Sequence, residues 1–193
     1  MRKKIVFPVL ILILIVGIIS WNYITVVPGA AANDTKEEAV GNLKIMVTGD
    51  LHGQVTAMQY ETKEEDPTAG LSKIATLIQR ERMGSGNSET VLVDAGDTLY
   101  SYATDFFYNY NDKLIQPIYQ AMAMLDYDAI TLGNHELDFP WEYLTNQLME
   151  SGLYPVTTVA NLRHDVTGEE ILPPSIVTEK MIEMSDGTVK KLR

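Results

Sequence analysis

The sequence contains no cysteine and only three histidines among its 193 residues. Without cysteine neither a disulfide framework nor a thiolate metal site can form, so any metal must be bound by His, Asp, Glu, Asn or Gln. Basic residues are also few, with 15 Lys and Arg against 26 Asp and Glu, and the formal net charge is −11. Because an acidic chain lacks the basic surface that displaces counterions from phosphates, we expect no binding to a nucleic-acid polymer.

Charged residues are missing from a long apolar run near the N-terminus, from Ile5 to Pro28. Three basic residues precede this run and three alanines follow it, which is the pattern of an export signal. The 23 residues from Ile5 to Val27 are also long enough to span a bilayer as an uncleaved anchor. We predict a signal peptide or membrane anchor over residues 1–32, with membrane contact through residues 5–27 if it stays uncleaved. The remainder is then extracytoplasmic, either secreted or held at the cell surface.

The rest of the chain predicts one domain of the α/β class. Residues 33–42 are polar and predict a linker, and residues 43–193 can bury one sizeable core. Four β-branched apolar runs end in Gly or Ala and a polar residue, at 43–50, 90–97, 129–136 and 154–161. Helical patterns lie between them, at 70–83, 116–128 and 140–152. Strands that alternate with helices predict parallel βαβ units.

A polar residue follows each predicted strand: Asp50, Asp97, Asn134 and Asn161. Each of them alone has an ordinary explanation, such as a turn or a helix cap. In parallel α/β sheets, however, the carboxyl ends of the strands meet at one edge, where functional groups gather. We therefore expect these four residues to lie close together.

The residue types at this edge suit divalent metals. Two such ions about 3.5–4 Å apart can share a carboxylate and hold a phosphoryl group. In an extended segment Asp50 and His52 point to the same side and can bind one ion. Asp97 could bridge the two ions, and the amide oxygen of Asn134 could bind the second.

The adjacent histidine would point elsewhere in an extended segment and is free to contact a substrate. This residue, His135, is followed by Asp138, which could orient the imidazole and raise its basicity.

Three motifs resemble those of the calcineurin-like metallophosphoesterase superfamily, in the branch of secreted 5′-nucleotidases and 2′,3′-cyclic-nucleotide phosphodiesterases. They are GDLHG at 49–53, VDAGDT at 93–98 and TLGNHELD at 131–138. The resemblance runs from about Leu43 to the last residue and implies the N-terminal half of a layered α/β/β/α domain. It implies two divalent metal ions, manganese, zinc or similar, and a nucleotide or other phosphoester substrate.

The resemblance also implies a role for each motif residue. Asp50 and His52 match ligands of the first metal, Asp97 the bridging carboxylate, and Asn134 a ligand of the second metal. His135 matches the catalytic histidine and Asp138 its dyad partner, beside a metal-bound hydroxide that attacks phosphorus.

The sequence departs from the family pattern in its later part. Family members complete the metal site with two further histidines and another side-chain ligand from segments that are absent here. His164 lies in a polar stretch that predicts a surface loop. We therefore expect an incomplete catalytic domain that binds metal weakly. The alternative is a non-catalytic remnant, membrane-tethered, that at most binds a metal or a partner protein.

The aromatic stretch YSYATDFFYNYND at 100–112 allows two interpretations. It predicts either a loop that packs against the rim of the domain or a platform on which a nucleobase stacks. The resemblance implies base stacking in a C-terminal domain, and this favours the first interpretation.

Overall fold

A computed structural model of the chain describes residues 22–23, 39–60, 62–84 and 88–193. The predicted signal or anchor over 1–32 therefore lies outside the described residues, apart from its two-residue strand at 22–23. Across the described ranges, no helix combines the length and the apolar character needed to cross a membrane.

A five-stranded sheet forms the centre of the structure. In chain order and in spatial order its strands are β1 (Asn22–Tyr23), β2 (Asn42–Thr48), β3 (Ser88–Asp94), β4 (Ala129–Thr131) and β5 (Thr157–Thr158). The pairs from β2 to β5 are parallel, whereas β1 is antiparallel on the outer edge of β2. The predicted parallel α/β architecture is confirmed for the four strands that follow the N-terminal segment.

Four α-helices connect or flank these strands: α1 (Leu71–Met83), α2 (Tyr102–Tyr110), α3 (Pro117–Ala123) and α4 (Trp141–Ser151). The helical patterns at 70–83, 116–128 and 140–152 correctly predict α1, α3 and α4. The two ends of α4 are as expected, because Pro140 lies at the N-cap and Gly152 at the C-cap has the left-handed conformation.

Helix α2 corrects the prediction of a loop over the aromatic stretch. Its N-terminus carries a capping box, in which the Ser101 side chain accepts from the Thr104 N–H and the Thr104 hydroxyl accepts from the Ser101 N–H. These bonds satisfy backbone donors that the first helical turn leaves without partners. Ser101 and Thr104 are therefore a local sequence signal for the start of a helix. The prediction of a loop gave more weight to the aromatic residues around them.

The core lies between the sheet and the helices. Its fully buried large apolar side chains come from one strand, three of the four α-helices and one loop: Leu71, Leu92, Leu99, Ile118, Tyr119, Met122, Leu144 and Leu148. Helix α3 contacts both α1 and α4. The last residues form an antiparallel hairpin of β6 (Lys180–Glu183) and β7 (Val189–Leu192), and β6 contacts β2 and β3.

Candidate functional site

Three loops meet at the carboxyl edge of the sheet, after β2, β3 and β4. The first two are joined by backbone hydrogen bonds. The Asp50 N–H donates to the Gly96 carbonyl at 2.9 Å, and the His52 N–H donates to the Asp97 carbonyl at 3.1 Å. The Gly53 N–H extends this pairing to the next carbonyl along the second loop. The loop that carries Asp50 and His52 is therefore held against the loop that carries Asp97.

The second and third loops approach each other as closely as glycine allows. Gly96 has φ +93°, and a Cβ placed there would lie 2.4 Å from the Gly133 nitrogen. A Cβ on Gly133 would lie 2.0 Å from the Asp97 Oδ1. Since real side chains do not tolerate such distances, both positions require glycine, and this contact brings the ends of β3 and β4 together.

A buried glutamate links the same two loops. Glu136 Oε2 accepts hydrogen bonds from the backbone N–H groups of Asp97 at 3.0 Å and Gly133 at 2.7 Å. Its Oε1 accepts from Thr98 at 2.7 Å and Leu99 at 2.9 Å. Four backbone donors thus satisfy one carboxylate that is almost completely buried. Sequence reasoning missed this role, although an acidic residue inside a motif is a signal that could have found it.

Asp50 and His52 come together, but the expected extended segment between them is wrong. Both residues have left-handed backbone conformations, with φ of 53° and 46°. Their side chains nevertheless face each other, with the His52 Nε2 3.7 Å from the Asp50 Oδ1. The His52 Nδ1 is buried and has no hydrogen-bond partner among the described residues. Nε2 is therefore the nitrogen that the ring presents to Asp50.

Asp97 and Asn134 directly follow Gly96 and Gly133, the two glycines that bring the second and third loops together. Asp97 also has a positive φ, 56°, and its Oδ1 accepts a hydrogen bond from the His135 backbone N–H at 3.0 Å. Asn134 is exposed and has helical dihedral angles because β4 ends at Thr131, earlier than predicted, and a 3₁₀ turn begins at residue 135.

His135 has partners on two sides. Its Nδ1 lies 2.9 Å from the Asp138 Oδ2, and this hydrogen bond to a carboxylate raises the pKa of the imidazole. The Tyr100 ring stacks on the imidazole at a centroid distance of 3.8 Å, and the His52 ring lies 5.4 Å away, edge to face. The imidazole is therefore oriented by a carboxylate and by an aromatic ring.

A buried polar cluster lies where β2 and β3 end, at the rim formed by the three loops after β2, β3 and β4. Asp94 accepts hydrogen bonds from the Thr48 hydroxyl at 2.5 Å and from the Gly96 N–H at 2.9 Å. Thr48 also lies 2.9 Å from the Tyr127 hydroxyl. Burial raises the pKa of the Asp94 carboxyl above its ordinary value.

Asn161 and His164 make none of the contacts just described. Asn161 is exposed, three residues beyond the end of β5. His164 is exposed in a turn, where its Nδ1 accepts from the backbone of residues 166 and 167, so the prediction of a surface position is confirmed.

The donor set at the rim fits a divalent ion only in part. Carboxylate, imidazole and amide donors are the types that such ions take in the absence of thiolates. The 3.7 Å between His52 and Asp50 fits two ligands of one ion, which lie roughly 3–4 Å apart when each bond is about 2.0–2.2 Å. Within the residues that the structure describes, however, no group of three or more His, Asp or Glu side chains is placed to hold an ion.

Known proteins resemble the chain over most of its length. The chain is 30% identical over 167 residues to a 2′,3′-cyclic-nucleotide 2′-phosphodiesterase/3′-nucleotidase of Yersinia enterocolitica, which is 85% of this chain and 25% of that protein. It is 31% identical over 124 residues to a snake venom 5′-nucleotidase of Naja atra, 63% of this chain and 22% of that protein. The chain thus spans about a quarter of the length of these curated relatives.

A solved structure shares the fold. The calcineurin-like phosphoesterase YfkN from Bacillus subtilis matches with a TM-score of 0.70 and 28% identity, over 80% of this chain and 46% of that chain. The family profile described as calcineurin-like phosphoesterase matches residues 43–181. This match covers the parallel strands from Leu43 onward, the three loops and every candidate site residue, and the chain therefore belongs to the calcineurin-like phosphoesterase family of hydrolases.

Proposed function

We propose that the chain supplies one part of a metal-dependent site that hydrolyses nucleotide phosphate esters. The observation that carries the proposal is the meeting of the three motif loops at one edge of the sheet. There Asp50 faces His52, the His52 ring lies edge to face with the His135 ring, and Asp97 accepts a hydrogen bond from the His135 N–H. The nucleotide substrate class is taken from relatives named as nucleotidases and cyclic-nucleotide phosphodiesterases.

Four side chains are the proposed metal ligands. Asp50 and His52 would hold one divalent ion, Asn134 would hold a second, and Asp97 would be a ligand of both. Bound there, such ions supply Lewis-acid polarisation of a phosphoryl oxygen and lower the pKa of a water molecule. The positive charge also offsets the acidity of the chain, which would otherwise repel a phosphate.

His135 is the proposed proton donor to the leaving oxygen. The hydrogen bond to Asp138 raises the pKa of the imidazole and therefore favours its protonated form. The same bond occupies Nδ1, so that Nε2 is the nitrogen left to face a substrate. A general acid held in this way contributes about 10²–10⁴-fold to a rate.

We further propose that this site works outside the cytoplasm. The proposal is supported by the basic residues, apolar run and alanines of the N-terminal 32 residues.

The test measures hydrolysis of AMP and of 2′,3′-cyclic AMP by the native protein, recovered with an antibody against residues 43–193 and supplied with manganese. We expect release of phosphate or of the ring-opened product, loss of activity with a chelator, and a reduction of about 10²–10⁴-fold in His135→Gln. His164→Gln is the control, because this histidine is exposed outside the site. Equal rates in the two variants would contradict the role of His135.

The second candidate function is a non-catalytic module that binds a metal or a partner. It is favoured by the lack of a three-residue cluster of His, Asp or Glu within the described part of the chain. The intact mass of the recovered protein distinguishes the two candidates. A species well above 21.6 kDa supports the enzyme, whereas a stable form of 21.6 kDa or less without activity supports the module.

A further inference from the structure

Tyr100, at the rim, is a bulky and exposed residue in a backbone conformation that tyrosine rarely adopts. Its φ is 97°, in the left-handed region that suits glycine, and the residue is 52% exposed. An exposed side chain gains little from burial that could offset such a conformation. Residues of this kind persist where surrounding contacts impose them, and they cluster at functional sites. The conformation of Tyr100 therefore indicates a role in the site rather than in the core.

The backbone at Tyr100 is fixed by two hydrogen bonds. The N–H of the preceding residue, the completely buried Leu99, donates to the Glu136 Oε1 at 2.9 Å. The Tyr100 N–H donates at 3.2 Å to the Thr104 hydroxyl oxygen, which belongs to the capping box of α2. Because Glu136 directly follows His135, the first of these bonds places the Tyr100 and His135 backbones beside each other.

The Tyr100 ring covers one face of the His135 imidazole. The two rings are nearly parallel, with an angle of 16° between their planes and centroids 3.8 Å apart. The His52 ring is 5.4 Å from His135 and 5.9 Å from Tyr100, so it lies beside the stacked pair rather than beyond either ring. Tyr100 is therefore the aromatic ring that limits how far the imidazole can tilt.

The hydrogen bond to Asp138 does not by itself fix the plane of this imidazole. The χ2 torsion of histidine is broad, so the side-chain rotamer leaves the ring plane open. The bond from Nδ1 to the Asp138 carboxylate fixes one atom of the ring and permits rotation about that bond. A parallel ring in contact with one face opposes this rotation, and it does so without occupying Nε2.

We propose that Tyr100 is a positioning residue that sets the plane of the His135 imidazole and so aims Nε2 at the leaving oxygen, an inference that rests on the proposed role of His135 as proton donor. Proton transfer requires such alignment, and a misplacement of about 1 Å can cost about 10²-fold in rate. The contact is made by the ring alone, because within the described part of the chain the Tyr100 hydroxyl has no hydrogen-bond partner. Phenylalanine should therefore replace tyrosine without loss.

The first test is independent of hydrolysis and records ¹H–¹³C NMR spectra of the histidine rings in the full chain. The chain has only three histidines, so His135→Gln assigns the His135 resonances. In wild type and Tyr100→Phe we expect the stacked ring to shift the His135 ring protons, and in Tyr100→Gly we expect this shift to be lost. The exposed His164 is the internal control and should keep its position in every spectrum. Identical His135 shifts in wild type and Tyr100→Gly would overturn the proposal.

The second test measures AMP hydrolysis, and Tyr100→Gly separates a role in the reaction from a role in folding. Glycine accepts the left-handed backbone while it removes the ring, so the urea unfolding midpoint should be no lower than in wild type. We expect kcat to fall about 10–100-fold with KM unchanged, and Tyr100→Phe to keep the wild-type kcat. The matched control is Tyr102→Ala, because Tyr102 is 63% exposed and has no ring contact within the described residues. This variant should keep the wild-type kcat.

A double variant shows whether Tyr100 acts through His135. In the His135→Gln background the further change Tyr100→Gly should leave kcat the same within about twofold, because the group that it positions is already gone. A further loss of about 10-fold would overturn the proposal, and so would equal losses in Tyr100→Phe and Tyr100→Gly. Absence of hydrolysis by the wild type would contradict the proposed function, and the NMR spectra would still decide whether Tyr100 fixes the His135 ring.

Discussion

At the scale of single residues, the site depends on backbone conformations that most side chains avoid. Among the described residues with positive φ that are not glycine, four lie at the rim: Asp50, His52, Asp97 and Tyr100. Each such conformation costs on the order of 1–3 kcal/mol and persists only where surrounding contacts impose it. The hydrogen bonds between the loops after β2 and β3 are contacts of this kind.

Gly96→Ala should be far more harmful than the same change at another glycine with positive φ. Gly96 has φ +93° and its Cβ would meet the Gly133 nitrogen, whereas Gly152 has φ +80° with nothing within 4 Å. At Gly152 we expect a loss of about 1–2 kcal/mol from the left-handed backbone alone. At Gly96 a steric cost of about 1–3 kcal/mol is added. Urea unfolding of both variants measures the difference, and equal losses would contradict the close approach of the two loops.

The Asp94 carboxyl should lower the free energy of unfolding as pH rises. Burial raises the pKa of its carboxyl above the ordinary 3.8. At pH values between 3.8 and the raised pKa, the Asp94 carboxyl is ionised in the unfolded chain but protonated in the folded chain. The free energy of unfolding therefore falls as pH rises through this range. Below 3.8 both states are protonated, and above the raised pKa both are ionised and the loss is complete.

Asp94→Asn removes this titration and can retain the hydrogen bonds to Thr48 and Gly96. Relative to wild type, we therefore expect the variant to gain stability as pH rises from 3 to 7, in urea unfolding at several pH values. Asp112→Asn, an exposed position, controls for the change in overall charge. A difference between wild type and Asp94→Asn that does not change with pH would contradict the raised pKa.

At the scale of elements, Glu136 connects the loops that follow β3 and β4. Glu136→Gln replaces one acceptor oxygen by an amino group that faces two backbone N–H donors. Because buried donors lose their partners and a charge-assisted set of bonds is removed, we expect a loss of about 2–4 kcal/mol. Glu142→Gln on the exposed face of α4 is the control and should change stability by less than about 0.5 kcal/mol. Similar unfolding midpoints for both variants would show that Glu136 does not hold the loops.

The comparison of elements shows what sequence patterns can and cannot predict. The order of strands and helices was predictable because apolar runs and helical periodicity are local. The lengths of β4 and β5 were overestimated, since the apolar residues that continue beyond Thr131 serve a turn rather than a strand. Helix α2 was missed because its aromatic residues indicated packing more strongly than its capping box indicated a helix start.

The site was predictable in its chemistry but not in its backbone geometry. The positions of Asp50, His52, Asp97, Asn134 and His135 at one edge follow from parallel strands, whose carboxyl ends must meet. The left-handed conformations of Asp50, His52 and Asp97 and the contact between two glycines depend on loops that are far apart in the sequence. Glu136 was overlooked for the same reason, because three of its four donors lie in the loop after β3, which only the fold brings to it.

At the scale of the whole molecule, the acidic chain should bind divalent ions weakly with the ligands that it supplies. The proposed assignment gives one ion three protein ligands and the other two, with Asp97 counted for both. The described residues do not gather three His, Asp or Glu side chains around one point. Calorimetric titration of the chain with manganese or zinc should therefore give dissociation constants above about 1 μM, or less than about 8 kcal/mol of binding free energy. Asp97→Asn should weaken this binding further, whereas Asp165→Asn, which is exposed, should not. Submicromolar binding of two ions with rapid phosphoester hydrolysis would show that these 193 residues suffice for the complete site.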